Sequence, residues 1–168
     1  DFLIAHTSTD SNSNTHVQNM NIPKVYLAQH SLSEVQVLKD DIEVPIMPQV
    51  TGKKNLYDTK IWFGGPKGTI SPCHFDPFHN ILVQILGEKE VILIDPKYSD
   101  ALYPAYGTVQ KNTSLVDFEN PDMSRHPKFA DVRGFKAILK PGDALFMPLR
   151  WWHYCKTQQL SCSVNFWW

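Results

Sequence analysis

His74-Phe75-Asp76 places an imidazole and a carboxylate one residue apart, followed at once by Pro77. Residues two apart on a strand share a face, so His74 and Asp76 would point one way and Phe75 the other. Together they supply part of a metal site, and a second imidazole has to come from elsewhere. His153 is the candidate, at the end of Gly142-Asp143-Ala144-Leu145-Phe146-Met147-Pro148-Leu149-Arg150-Trp151-Trp152-His153. Two histidines and one carboxylate make a facial triad with open coordination positions, the donor set of non-haem Fe(II) oxygen chemistry. A structural site would instead be closed by four protein ligands.

The elements that must position these groups are short. Thr69, Ile70, Ile81, Val83, Ile85, Val91 and Ile92 are β-branched, so the stretch around the tripeptide predicts a strand, a brief break, then a hairpin turning at Gly87-Glu88. Upstream, Val25 to Leu27 predicts a strand, Ser33 to Asp41 a helix capped by Ser33, and Thr59 to Gly64 a strand carrying Trp62. Pro45 and Pro48 would end the helical unit, leaving a loop from Gln49 to Asn55. Downstream, GFKAIL, ALFMP, RWWHYC and LSCSVNFWW read as further short strands, with turns at Lys140 to Asp143 and Thr157 to Gln159. Between Pro96 and Asp131, Pro96, Pro104, Pro121 and Pro127 break any continuous sheet. Long ordered loops are uncommon unless functional, so this one is expected to cover an active site. Many short strands without α/β alternation predict an all-β sandwich or barrel. A jelly roll would bring the end of the chain beside His74.

At 168 residues the chain suits one domain with a hydrophobic core, given a usual range of roughly 100 to 200. A formal charge of -1 argues against broad electrostatic binding to nucleic acid or an anionic membrane. No apolar run approaches the roughly 18 residues that would span a bilayer, and the opening DFLIAH lacks the form of a secretory signal, so the expectation is a soluble intracellular protein. Cys73, Cys155 and Cys162 show no CxxC spacing and read as reduced thiols, with Cys73 facing away from its neighbour His74. Thr7 to Asn21 is almost entirely polar, so residues 1–22 are expected to be a flexible leader or upstream remnant and residues 23–168 the folded domain. His6 and His16 in that leader are expected to bind nothing.

Tyr26-Leu27-Ala28-Gln29-His30, Trp62-Phe63-Gly64, Gly68-Thr69-Ile70-Ser71-Pro72, Asn112-Thr113-Ser114, the Val116 to Asp122 stretch and the closing Phe166-Trp167-Trp168 share a further property. Together with the triad they resemble the JmjC group of Fe(II)- and 2-oxoglutarate-dependent oxygenases, within the cupin superfamily. The resemblance covers most of the chain. It implies a mainly β fold, the double-stranded β-helix (jelly roll, cupin-like) with a few short helices, and makes residues 23–168 a JmjC catalytic domain. It puts iron on His74, Asp76 and His153, the catalytic centre. It puts the distal carboxylate of 2-oxoglutarate on Lys89 and Tyr26, with Ser71 and Asn80 as further polar contacts. Fe(II), 2-oxoglutarate and O2 would be consumed or used in hydroxylating a protein or peptide, histone or arginine-containing, in the nucleus or cytoplasm. Arginyl hydroxylation is favoured over histone lysine demethylation.

By residue type alone, Lys89 reads as a solvated turn lysine, Tyr26 as a half-buried aromatic and Asn80 as a partner for sheet-edge backbone. A dianionic cosubstrate in a dry pocket nonetheless needs an ammonium or phenol at its far end. Trp62, Trp151, Trp152, Trp167 and Trp168 read as core and pocket walls, and His79 and His126 as surface or supporting histidines. Asp117, Glu119 and Asp122 would suit a cationic target if the long loop covered the site, and would otherwise be a solvated loop. Three departures from the family pattern stand out: a start shortly before the Tyr26 strand, an extra glycine at Gly64-Gly65, and Phe78-His79 where polar amides are usual. Two other readings remain open: a metal-dependent peptidase, and a cupin-like binding module whose metal only stiffens the fold.

Overall fold

Residues 25–51 and 56–168 are described by the computed structural model of this protein. Nine strands form among them: β1 (Tyr26–Ser31), β2 (Asp58–Gly64), β3 (Thr69–Phe75), β4 (Asn80–Leu86), β5 (Lys89–Ile94), β6 (Gly134–Leu139), β7 (Ala144–Met147), β8 (Trp152–Thr157) and β9 (Ser161–Trp167). They make two antiparallel sheets, ordered β1-β2-β9-β4-β7 and β3-β8-β5-β6. The mainly β jelly roll with a few short helices is thus borne out.

Alternation along the strands decides what each face meets. Leu82, Val91, Leu93, Leu139 and Met147 pack together between the sheets. On the outer face of the first sheet, Ile61, Ile81, Val164 and Phe166 are buried with Leu32. The cover there comes from the segment holding α1 (Gln36–Asp40) and α2 (Ile46–Val50). The outer face of the second sheet buries Cys73, Ile94, Trp152 and Tyr154 under Tyr98, Leu102, Phe118, Phe129 and Val132. Each such side chain taken wholly out of water contributes about 1.5–3 kcal/mol before chain entropy is set against it.

Four expectations need correction. Gly87-Glu88 does not close a hairpin: β4 pairs with β9 and β7, whereas β5 pairs with β6 and β8. Gly87, at φ +70°, instead steps the chain from one sheet to the other, and a Cβ there would run into the carbonyl oxygen of Leu160. The turns at 140–143 and 157–159 also cross between sheets. Second, the helix expected over Ser33 to Asp41 is split into a 3-10 turn at Leu32–Glu34 and the short α1. The Ser33 hydroxyl pairs with Ser31 Oγ at 2.9 Å instead of capping. Third, the proline-marked end is itself helical, since Pro48 lies in the first turn of α2, where no intrahelical donor is required.

Fourth, much of the long connection packs elsewhere than over the triad, although its Thr113 bridges to His74 itself. It lies across the outer face of the second sheet, with 3-10 turns at Pro96–Leu102 and Pro127–Asp131. One part of it, at Asn112 to Ser114, extends alongside β3: Asn112 O accepts from Phe75 N at 3.0 Å, and Asn112 Nδ2 donates to Phe75 O at 2.8 Å. No helix among the described residues is long and apolar enough to cross a membrane. The leader 1–22, with His6 and His16, lies outside the described residues.

Candidate active site

β3 and β8 are hydrogen-bonded neighbours, and their register sets His74 opposite His153. The two rings consequently sit side by side, 4.3 Å between centroids. Asp76 follows one residue beyond β3 and reaches both, with Oδ1 4.0 Å from His74 Nε2 and Oδ2 3.6 Å from His153 Nε2. One ligand atom from each of the three residues falls within 4.8 Å of the others. The expected convergence is therefore present.

Backbone carbonyls orient both imidazoles. His74 Nδ1 lies 2.7 Å from the Pro72 carbonyl and His153 Nδ1 3.1 Å from that of Trp151. A carbonyl can only accept, so Nδ1 carries a proton in each ring and Nε2 is the nitrogen turned toward Asp76. Burial, with His74 nearby, pushes His153 down to about 3, so it is neutral and ready to ligate. Burial raises the Asp76 carboxyl above the usual range, partly offset by His74. Two imidazoles and one carboxylate, partly withdrawn from water, are a donor set that a borderline divalent cation fits and that gains from its charge.

Deeper in the barrel, Tyr26, Trp62, Ser71, Leu82, Lys89 and Met147 join His74 and His153 around a cavity of about 30 Å³. Lys89 is only 4% exposed, and Nζ donates to Ser163 Oγ. Burial lowers its pKa, and among the described residues no carboxylate pairs with it. A buried ammonium held by a hydroxyl alone is a ready partner for an anion. Tyr26 and Ser71 are linked, Oη to Oγ, at 3.1 Å. Asn80 sits apart from this cavity wall, opposite Trp167 in register, and its Oδ1 accepts from Asn165 Nδ2 at 3.0 Å. The Trp167 indole N–H is buried with no acceptor among the described residues. The Lys89 ammonium and the Tyr26 hydroxyl, both on the cavity wall, can donate to an anionic ligand. Admitting a five-carbon diacid to so small a cavity needs neighbouring side chains to draw back, while the Lys89 ammonium, with three donors, can keep Ser163 and still reach an anion.

The Cupin-like domain family matches residues 5–168. Jumonji C domain-containing protein 5 of Drosophila melanogaster is 41% identical over 85% of this chain and 36% of its own length. Lysine-specific demethylase 8 of Xenopus tropicalis is also 41% identical, over 85% of the chain and 32% of that protein. Lysine-specific demethylase JMJ30 of Arabidopsis thaliana is 42% identical, over 85% and 33% respectively. The chain belongs to the cupin-like JmjC family. It spans about a third of the length of these relatives.

Several groups in this JmjC domain escaped the reading of its sequence. Ser163 and Asn165 face inward from β9, beside Lys89 and Asn80, although alternation with Val164 and Phe166 would equally suit a strand with one face in water. Trp62, expected as a wall, also donates to Asn165 Oδ1 at 2.7 Å. Phe78 stacks between Tyr57, 4.2 Å away, and Trp167, 5.8 Å away.

Other residues have structural employment. His79 Nδ1 accepts from Leu149 N at 3.1 Å, and the ring stacks on Phe146. His126 meets the Tyr103 ring edge-on, and His30 faces Glu34 at 3.6 Å. The acids proposed for the mouth turn elsewhere. Glu119 accepts from Tyr154 Oη at 2.6 Å and pairs with Lys156, both on the outer face of the second sheet. Asp117 and Asp122 cap backbone amides of their own loop.

Proposed function

We propose that this JmjC domain is an Fe(II)- and 2-oxoglutarate-dependent dioxygenase that hydroxylates a protein or peptide, with arginyl hydroxylation favoured and histone lysine demethylation the second outcome. The observation that carries the reading is a His74–Asp76–His153 cluster at one end of a barrel whose inner wall holds the uncompensated ammonium of Lys89. His74, Asp76 and His153 would hold the metal from one side. Bound there with 2-oxoglutarate, iron supplies the oxidation of a substrate C–H bond by O2 as the cosubstrate becomes succinate and CO2.

The chain's own part is binding, orientation and exclusion of water. Lys89 and Tyr26 bind the distal carboxylate, and Ser71, hydrogen-bonded to Tyr26, holds the phenol in place. The Pro72 and Trp151 carbonyls keep both imidazoles in the ligating tautomer. Leu82 and Met147 line the cavity with apolar surface and strengthen every charge interaction within it. The names of two of the relatives describe lysine-specific demethylases, which supports a protein substrate for this chain. All three cysteines are free, in keeping with a nuclear or cytoplasmic location.

The test is incubation of arginine-containing and histone peptides with Fe(II), 2-oxoglutarate and O2, following succinate and peptide mass together. One added oxygen means hydroxylation and one lost methylene means demethylation. Oxygen-independent cleavage of the peptide would replace this proposal with a metal peptidase, and binding without turnover would leave a binding module.

A further inference from the structure

Asp76 is the anionic member of the triad, and it lies one residue beyond β3, outside the ladder that fixes the two histidines. β3 is the edge strand of its sheet and pairs within it only with β8. Residues 112–114 of the long connection take its other edge. Ser114 N donates to Cys73 O at 2.8 Å, Thr113 bridges to His74, and Phe75 N donates to Asn112 O at 3.0 Å. In a regular antiparallel pair the Phe75 carbonyl would accept from the partner's backbone N–H. Here it accepts from the Asn112 side chain, Nδ2 to O at 2.8 Å.

That carbonyl belongs to the peptide unit joining Phe75 to Asp76. The next unit, Asp76 to Pro77, has no N–H, so only its carbonyl can be held. It accepts from Arg150 N at 3.0 Å, in the turn closed by Trp151 N on Pro148 O. The peptide planes on both sides of the Asp76 α-carbon are thus held from outside β3, one by a side chain and one by backbone. Two held planes set φ and ψ, and these set the direction of the Cα–Cβ bond. Pro77 already restricts ψ at Asp76, so φ is the freer angle and the Asn112 bond is what holds it. The carboxylate oxygens then meet His74 and His153 Nε2 at 4.0 and 3.6 Å.

We propose that Asn112 is a positioning residue for the metal: by holding the Phe75 carbonyl, its side-chain amide aims the Asp76 carboxylate at a cation shared with His74 and His153. The inference rests on the reading of the triad as a metal centre, and on nothing assumed about cosubstrate or substrate. Arg150 offers only a backbone N–H, which survives most substitutions there. The Asn112 amide is the contact that a substitution removes. Losing an outer hydrogen bond that orients a ligand costs about 10- to 100-fold in metal affinity.

The experiment compares Asn112→Leu with Ser114→Ala, using thermal melts to confirm that each is folded. Ser114 stands in the same segment, but its hydroxyl is turned to Leu102 O at 2.6 Å and Val116 N at 3.1 Å, away from Phe75. Should Asn112→Leu fail to fold, Asn112→Ala takes its place. Mn(II) affinity is measured by calorimetry without oxygen or cosubstrate. The expected result is binding weakened by about 10- to 100-fold in Asn112→Leu and near wild type in Ser114→Ala, although both melt lower. The electron paramagnetic resonance spectrum of the Mn(II)-saturated protein should also change in Asn112→Leu, because the carboxylate meets the ion from a different direction. An Asn112→Leu affinity within about twofold of wild type, an equal loss in Ser114→Ala, or an unchanged spectrum would overturn the proposal.

A second readout needs no metal. In the metal-free protein, Asn112→Leu should shift the carbon resonances of the Phe75 carbonyl and the Asp76 carboxylate, while Ser114→Ala leaves both in place. Unmoved resonances would refute the clamp. Wild-type protein that binds no Mn(II), with those resonances still moving, would sink the metal reading and the role given to Asn112 with it. Intact wild-type binding with an unmoved variant would sink Asn112 alone.

Discussion

Replacing Asp76 by asparagine should uncouple stability from metal binding. The carboxylate is mostly withdrawn from water, at 15% side-chain exposure, and faces two imidazoles with Nε2 atoms 4.0 and 3.6 Å away. Burial raises its pKa in the folded chain. A carboxyl with a raised folded-state pKa holds its proton longer when folded than when unfolded. Stability therefore falls as pH climbs through the window that opens near the ordinary carboxylate value of about 4, and the deficit remains at pH 7. Without metal, Asp76→Asn should melt at or above the wild-type temperature at pH 7, with the difference closing below about pH 4.

With Mn(II) at a hundred times its dissociation constant, wild type gains about 2.7 kcal/mol. At about 2–4 °C per kcal/mol for a domain of this size, the melting temperature rises by about 5–11 °C. The asparagine variant, lacking the anionic ligand, should rise by under about 2 °C at the same Mn(II) concentration. Scanning calorimetry with Mn(II) and with chelator makes the measurement. A metal-free variant melting several degrees below wild type, or one that keeps the full Mn(II) shift, would refute the reasoning.

Lys89→Met should leave the metal-free fold no less stable at pH 7, because a lysine with a lowered folded-state pKa costs stability until pH rises past it toward the ordinary value near 10.4. The same variant should weaken 2-oxoglutarate binding by about 10- to 100-fold in calorimetry, and wild-type affinity should fall as pH rises through the lowered lysine pKa. Unchanged binding would remove Lys89 from the pocket's chemistry. Glu119→Gln and Asp122→Asn should alter KM for a cationic peptide by no more than about twofold, since both acids face away from the cavity. A large rise would return them to the substrate path. Gly87→Ala should destabilise by more than about 2 kcal/mol in denaturant titration, against about 1 kcal/mol for Gly142→Ala. Both have positive φ, but only Gly87 has a backbone oxygen where the new Cβ would go. Equal losses would mean that this close approach is not retained in solution.

The triad and most strand positions were legible in the chain itself, because both are local properties. His74 and Asp76 share a face through their spacing, and β-branched runs mark strands wherever they later pair. The roles proposed for Lys89 and Tyr26 came only with the family resemblance, since a lysine after Gly87-Glu88 has the local look of a solvated turn.

Tertiary structure alone decided which strands became neighbours. β4 and β5 are joined by a short turn yet belong to different sheets, while β3 finds β8 from across the chain and so brings His153 to His74. Pairing of this kind is a long-range choice that turn residues do not encode. It also decided what the polar rows meant. Ser163 and Asn165 alternate with apolar residues as they would on a wet sheet face, but here that face is the inside of the barrel. Asp117, Glu119 and Asp122, which composition could have put at the mouth, went to the outer surface with the loop that carries them. Alternation marks a change of environment along a strand. Whether the polar side meets water or a buried site depends on what the rest of the fold lays against it.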